Sequence, residues 1–287
     1  MRPKDLEAIL SKNIGSGRKI YIFVDRANNN KRPLNDKVIE LARKYELTHD
    51  IKLKIAEENL GVGNAVPAGV NWIATKEKNF IVLEDDCHLN AEGFNFLDTN
   101  ISKLNQEISI ICATSPWDID PDSMGLNQNS LSSYPLISGW ATSTESWGET
   151  SFMIGKKPPV KSTLTAVFQK PKKVFILCFF LAAHIRVYRG RSKAWDCSLA
   201  LGMLLKGKKA LIPNVTMVTN TGRDEVASHT IQRKDQDSIY RKESSKSPSN
   251  TLDESLFFTD KTDRQIEKKL YNLKKRHLLS PLKALVI

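Results

Sequence analysis

Phe80-Ile81-Val82-Leu83-Glu84-Asp85-Asp86 is an apolar run that ends abruptly in three carboxylates. Consecutive large apolar residues are typical of a strand that is buried on both faces. Adjacent acidic side chains repel one another unless a cation or a hydrogen-bonding ligand lies among them. In open α/β sheets, ligands bind at the carboxyl ends of the strands. The stretch therefore predicts a metal-bound phosphate ligand at this edge of a sheet, and a solvated acidic turn is the alternative.

Strand and helix patterns alternate on both sides of this stretch. Residues 19–25 and 108–114 have strand patterns, and residues 65–75 have the pattern of an amphipathic helix. This alternation predicts an α/β fold with a Rossmann-like, mostly parallel sheet flanked by helices. Because one strand ends at Asp25 and another at Asp86, we expect their carboxylates at the same edge of that sheet.

The second half of the chain has a different character. Residues 132–147 are rich in Ser, Thr, Gly and Trp, and residues 195–206 read as a helix that Gly207 ends. Residues 174–183 form an apolar run that is too short to span a bilayer and is predicted to be a buried helix. Residues 232–250 are polar and Ser-rich, which is typical of a flexible connector. A basic helix is predicted over residues 263–277.

The charge is concentrated in one segment. The chain of 287 residues has 43 Lys and Arg against 32 Asp and Glu, a net charge of +11. Ten basic residues and no acidic residue lie between Thr150 and Trp195, so this segment carries most of the excess. It predicts an anionic partner or surface, with a solvated basic face as the alternative. Peripheral contact with the inner membrane surface, through residues 156–193 or the C-terminal helix, stays open.

The cysteines favour a reducing compartment. The four cysteines include no Cys-x-x-Cys pair and no zinc-site spacing. No secretory signal opens the chain, so we expect a cytoplasmic protein.

Five ordered segments, residues 58–63, 84–86, 138–142, 195–196 and 213–230, resemble motifs of nucleotide-sugar glycosyltransferases with the GT-A fold. The nearest resemblance is to bacterial family 2-like enzymes, and a more distant one is to Golgi N-acetylglucosaminyltransferases. The resemblance implies a GT-A domain over residues 1–230, with a nucleotide-binding half over about 1–115 and an acceptor half over about 116–230. Residues 231–287 would be a flexible connector and a basic C-terminal helix.

The resemblance also implies an activity. It implies a metal-dependent, inverting enzyme that moves a sugar from a nucleotide-diphosphate donor to a saccharide or lipid-linked acceptor, for example in surface polysaccharide synthesis. Asp86 would bind Mn²⁺ or Mg²⁺, and Asp196 would be the base that deprotonates the acceptor hydroxyl. The other implied contacts are Asp25, Arg26, Asn59, Gly63, Glu84 and Asp85 for the nucleotide sugar, His229 for the metal, and Trp140 and Trp195 for the acceptor.

The residues alone leave alternatives open for each of these roles. Asp196 could be an N-cap, His229 could be a satisfied surface or core histidine, and both tryptophans could be core residues. A nucleotidyltransferase could use the same carboxylates, and a catalytically silent nucleotide-binding protein would keep them. The net charge also permits a nucleic-acid binder, but no recognition-helix pattern or aromatic-interleaved basic motif is present, so no nucleic-acid partner is expected.

The chain departs from the family pattern at two places, and each departure leads to an expectation. In the family, a first strand runs into an Asn-Arg-Pro-type turn, whereas here Arg2 and Pro3 directly follow Met1. The resemblance therefore predicts that this central strand is missing, which would lower the stability and the activity of the chain. Arg26 follows Asp25 where relatives often have Gly, which leaves the base specificity open.

Overall fold

The computed structural model describes residues 2–116, 129–151, 154–221 and 259–271, together with residues 280, 281 and 284. Residues 222–230, the predicted connector and residues 272–277 of the predicted C-terminal helix lie outside these ranges. The α-helices are α1 (Pro3–Asn13), α2 (Arg32–Thr48), α3 (Val62–Ala74), α4 (Ala91–Asn100), α5 (Thr144–Thr150), α6 (Val160–Gln169), α7 (Val174–Tyr188), α8 (Trp195–Lys206) and α9 (Thr259–Ile266). Short 3-10 turns cover Asn29–Lys31, Ile101–Lys103 and Pro171–Lys173, and Glu267–Tyr271 is π-helical.

The strands form three groups. They are β1 (Ile20–Val24), β2 (Ile51–Ile55), β3 (Asn79–Val82), β4 (Cys87–Leu89), β5 (Ile108–Cys112), β6 (Ser130–Ser132), β7 (Trp140–Ser143), β8 (Lys209–Ile212) and β9 (Val218–Asn220). A five-stranded sheet has the order β3-β7-β5-β8-β6, while β1 pairs with β2 and β4 pairs with β9. The α/β class predicted from the sequence is confirmed, and the arrangement is compatible with a Rossmann-like fold.

The prediction of a mostly parallel sheet is wrong. Strand β7 lies between β3 and β5 and runs antiparallel to both, and β6 is antiparallel to β8. Within the described five-stranded sheet, only β5 and β8 are parallel neighbours. Strand β7 could not be predicted from the sequence. All four side chains of Trp140–Ser143 are buried, so the segment lacks the alternation of polar and apolar residues that marks a half-buried strand.

The β1–β2 pair has its own small core. Ile22 and Val24 of β1 pack with Leu6 and Leu10 of α1 and with Val38 of α2. Among the described residues, β1 and β3 belong to different sheets. The expectation that Asp25 and Asp86 end strands at one edge of a single sheet is therefore wrong.

Helix α8 is the central helix of the second half. It packs against α3, α5, α6 and α7. Its Trp195 joins Trp140 and Trp147 in a cluster whose ring centroids lie 6.0 to 6.4 Å apart. The indole of Trp147 also donates a hydrogen bond of 2.7 Å to the side chain of Asn71 on α3. The start of α8 is thus fixed by large aromatic rings.

The apolar run predicted as a buried helix is confirmed as such. Helix α7 buries Ile176, Leu177, Phe180, Leu181 and Ile185 in one core cluster. In the part of the chain that the structure describes, no helix is both long enough and apolar enough to cross a membrane.

Residues 101–103 form a 3-10 turn where the sequence predicts a helix over residues 100–105. The side-chain oxygen of Asn105 accepts hydrogen bonds from the backbone N–H groups of Glu107 and Ile108. Such a local side-chain bond competes with helix formation and ends the turn before β5.

A buried carboxylate attaches α9 to the rest of the protein. Asp263 accepts hydrogen bonds from the Ser132 hydroxyl at 2.9 Å and from the Ser133 N–H at 2.8 Å. Its second oxygen lies 2.9 Å from Nζ of Lys173, which also contacts Glu267 at 3.2 Å. Although the C-terminal region was predicted to be a basic helix, its described part docks through acidic side chains.

Replacement of Asp263 by alanine should destabilise the protein by roughly 3 kcal/mol, because it leaves the Ser132 hydroxyl and the Ser133 N–H without their acceptor and removes one of the two carboxylates that Lys173 contacts. Urea unfolding measures the change. Asp260→Ala on the exposed side of the same helix is the control and should cost less than about 1 kcal/mol. Equal stability of the two variants would contradict the assigned role of Asp263.

Candidate functional site

The acidic residues that follow β3 lie in a tight turn. The N–H of Cys87 donates a hydrogen bond of 3.0 Å to the carbonyl of Glu84, so the chain reverses over Asp85 and Asp86. Strand β4 then pairs with β9, with Cys87 opposite Asn220. The turn is therefore held between the five-stranded sheet and the β4–β9 pair.

Glu84 has the most strongly shifted carboxyl group of the turn. Burial raises its pKa from 4.5 to about 8, and the nearby charges of Asp86, Asp196 and Asp85 add to this rise. The charge of Asp196, in the first turn of α8, is thus one of the causes of the raised pKa of Glu84. We call Glu84, Asp85, Asp86 and Asp196 the acidic cluster.

Asp86 is the member of the acidic cluster that joins the turn to β9. Its side chain accepts hydrogen bonds from the Cys87 thiol at 3.2 Å and from the Asn220 amide at 3.3 Å. Its backbone carbonyl accepts the N–H of Thr221 at 2.8 Å. Burial raises the pKa of Asp86, and the bonds from Cys87 and Asn220 act in the opposite direction.

Asp196 lies in the first turn of α8, directly after the buried Trp195. Burial raises its pKa, while hydrogen bonds from the N–H of Cys197 and from its own N–H lower it. The alternative that Asp196 is the N-cap residue of this helix is wrong. The cap position itself is Ala194, whose side chain makes no capping hydrogen bond.

Gly63 allows α3 to approach the segment that leads into α8. A Cβ atom at position 63 would lie 3.3 Å from the Cα of Lys193 and 3.4 Å from its carbonyl oxygen. Gly63 was predicted as a nucleotide-sugar contact. In the structure it packs against the backbone three residues before Asp196, so it positions that carboxylate from a distance.

Asp25 organises the loop that precedes α3. Its two oxygens accept the N–H groups of Leu60 at 2.8 Å and Gly61 at 2.9 Å, just before α3. Asn59 donates its side-chain amide to the carbonyl of Arg26, and Nε of Arg26 donates to the carbonyl of Ala56 at 3.3 Å. The predicted residues Asp25, Arg26 and Asn59 therefore do come together, in one loop cluster.

The two tryptophans predicted to contact an acceptor are core residues. Trp140 is fully buried and Trp195 is 3% exposed, and both rings pack in the tryptophan cluster. Neither offers a free face on which a sugar could stack. The alternative of core packing is therefore correct for both. Trp140 lies on β7, whose side chains are all buried, and Trp195 lies on the buried side of α8.

The described residues do not form a complete metal site. No group of three or more His, Cys, Asp or Glu side chains within them is arranged to hold a metal ion. The predicted ligand His229 lies outside the described residues. Mg²⁺ is commonly bound by one or two carboxylates together with phosphate oxygens and waters, and the hard oxygens of Asp86 and Glu84 suit that mode.

Two groups next to the acidic cluster were not singled out from the sequence. Asn220 and Thr221 contact Asp86 from β9 and the residue that follows it. Only the pairing of two three-residue strands brings these residues together, and such short strands have no recognisable periodicity.

No protein-family model and no curated protein matches this chain. The resemblance to glycosyltransferases therefore depends on the five motif segments and on the geometry of the acidic cluster.

Gly63→Ala should give a protein at least about 1 kcal/mol less stable than Gly148→Ala. Both glycines are helical, but a Cβ at Gly148 meets no atom within 4 Å. Alanine should therefore stabilise α5, whereas at position 63 it must displace the backbone of Lys193. Thermal unfolding of both variants checks this, and equal stabilisation would contradict the close approach.

Glu84→Gln should stabilise the protein above pH 8 by about 2 to 4 kcal/mol. The unfolded chain loses this proton near pH 4.5 and the folded chain near pH 8. Between these values the folded state binds more protons, so the carboxyl group lowers the stability progressively as the pH rises. Below pH 4.5 the variant and the wild type should be alike.

Urea unfolding between pH 4 and pH 9 measures this dependence. Glu57→Gln is the matched control, because it removes an exposed carboxylate of the same type. It should change the free energy of unfolding by less than about 0.5 kcal/mol across this range. If the stability difference between Glu84→Gln and the wild type does not vary with pH, the pKa of Glu84 is not raised in the folded protein.

Proposed function

We propose that this chain is a metal-dependent glycosyltransferase that moves a sugar from a nucleoside-diphosphate donor to a hydroxyl of a saccharide or lipid-linked acceptor, with inversion at the anomeric carbon. A GT-A arrangement of residues 1–230 is part of this proposal. The observation that carries it is that the charge of Asp196, from a distant part of the chain, adds to the raised pKa of the Glu84 carboxyl group in the acidic turn.

The turn after β3 would supply the metal side of the site. Asp86, with Glu84 and Asp85 beside it, would hold Mn²⁺ or Mg²⁺ against the diphosphate of the donor. The bound cation would neutralise the charge that develops on the departing diphosphate. A cation also favours the ionised carboxylates, which relieves the cost of burying Glu84 and Asp86 beside each other.

Asp196 would act as the general base. Burial raises its pKa, and this brings a carboxylate closer to the value that suits proton transfer near neutral pH. As the acceptor oxygen forms its bond to the anomeric carbon, the hydroxyl proton passes to Asp196. The bond from that carbon to the diphosphate breaks, and the diphosphate leaves with the electron pair. A single displacement of this kind inverts the anomeric centre.

The loop cluster around Asp25 would shape the nucleoside end of the pocket. Both carboxylate oxygens of Asp25 accept hydrogen bonds from the N–H groups of Leu60 and Gly61. Asp25 would therefore contribute to nucleotide binding mainly by fixing the position of this loop. Asn59 and Arg26 would then be the side chains nearest to the nucleotide. This differs from the direct contact between Asp25 and the base that the resemblance implies.

A panel of UDP, GDP, CDP and dTDP sugars tests the proposal. Melting temperatures with and without Mn²⁺ should rise for one nucleotide, and only when the metal is present. Asp86→Ala should lose this shift, whereas Asp36→Asn, an exposed carboxylate on α2, should keep it. The absence of any metal-dependent shift would refute the nucleotide site.

The reaction is checked by the slow hydrolysis of the donor in the absence of an acceptor. Asp196→Asn should lower the release of nucleoside diphosphate by about 100-fold or more while it keeps the nucleotide-dependent shift in melting temperature. Undiminished release would refute the base assignment. Release of pyrophosphate from a nucleoside triphosphate would instead support nucleotidyl transfer.

A further inference from the structure

Helix α6 exposes an apolar stripe to solvent. Val160, Leu164 and Phe168 are 40%, 53% and 84% exposed. They are spaced by four residues and therefore lie on one face of the helix. The neighbouring face holds the helix to the protein through the buried Thr163 and the half-buried Ala166 and Val167.

Exposed lysines surround this stripe. Lys156 and Lys157 precede α6, Lys161 lies on it, and Lys170 and Lys172 follow it, all of them exposed. Within the described ranges, none of these five takes part in an ion pair. A helix with apolar residues on one side and uncompensated lysines around it has the composition of an interfacial helix.

The structure distinguishes this helix from the more apolar α7. The sequence leaves membrane contact open anywhere over residues 156–193, and the longest apolar run within that range is in α7. Most of the large apolar side chains of α7 lie in the core, and Tyr188 at its end is the one that is exposed by more than about a third, at 45%. The apolar surface that remains in this basic segment belongs largely to α6.

We propose that α6 docks on an anionic lipid bilayer, with Leu164 and Phe168 inserted among the acyl chains and the flanking lysines on lipid phosphates. Charge argues for this partner over a second copy of the chain. In a two-fold dimer the same surface meets itself, so the lysines would face each other without an acidic residue between Thr150 and Trp195 to balance them. An anionic membrane supplies the missing negative charge. The proposal does not depend on the transferase activity.

Flotation of the full chain with vesicles tests this surface. Vesicles of phosphatidylcholine alone are compared with vesicles that also contain phosphatidylglycerol. The wild type should float with the anionic vesicles, and high salt should weaken the association. The double variant Leu164→Ser/Phe168→Ser should lower the bound fraction on the order of tenfold or more, because it removes most of the inserted surface.

A matched control uses the exposed leucines of α2. Leu34 and Leu47 are 46% and 87% exposed, and Leu34→Ser/Leu47→Ser should float like the wild type. Lys161→Gln/Lys172→Gln should weaken binding to the anionic vesicles. Unchanged melting temperatures would show that the exposed substitutions leave the fold intact, and an unchanged nucleotide-dependent shift would separate this test from that of the proposed function.

Three results would overturn the proposal. The first is a wild type that stays unbound on anionic vesicles. The second is equal flotation of the wild type and the α6 double variant. The third is a wild-type dimer in solution that the α6 double variant dissociates, with no flotation of either protein, which would assign the stripe to a second copy of the chain.

Discussion

The cost of bringing acidic side chains together in a partly buried site is the constraint on which the candidate site depends. Glu84, Asp86 and Asp196 each have a raised pKa, and burial is the largest cause for all three. Desolvation and mutual repulsion both favour separation of these groups. They stay together because other contacts hold the elements that carry them.

Those contacts come from different parts of the chain. The tryptophan cluster fixes the start of α8, and Gly63 lets α3 approach Lys193 just before it. On the other side, the β4–β9 pair holds the turn, with Asn220 donating to the Asp86 side chain. The two tryptophans predicted to bind an acceptor thus serve the site from the core, by setting the position of Asp196 rather than by touching a sugar.

Helices α6 and α7 differ in whether the fold buries or exposes their apolar residues. Residues 174–183 are the longest apolar run of the sequence, and the structure buries that run against α8 and α9. The apolar residues of α6 are fewer and are interrupted by polar ones, yet three of them face solvent. A hydrophobic residue indicates an interaction surface only when the fold leaves it uncovered.

Local chemistry was enough to predict β1, β2, β3, the helix of residues 195–206 with its end at Gly207, and the acidic turn, because each has its own periodicity or a residue that ends it. The sequence could not show β4, β6 and β7, which are three or four residues long and acquire their strand geometry from the strands beside them. It also could not show that Asp25 binds the loop before α3, because hydrogen bonds between distant segments leave no pattern in the sequence. The amino-acid sequence by itself determined that three carboxylates follow one apolar strand in a short acidic turn. Only the tertiary structure decided that the charge of Asp196 acts on Glu84, that Asp25 binds the loop before α3, and that the tryptophans are core, because burial and electrostatic coupling exist only once distant segments are packed together.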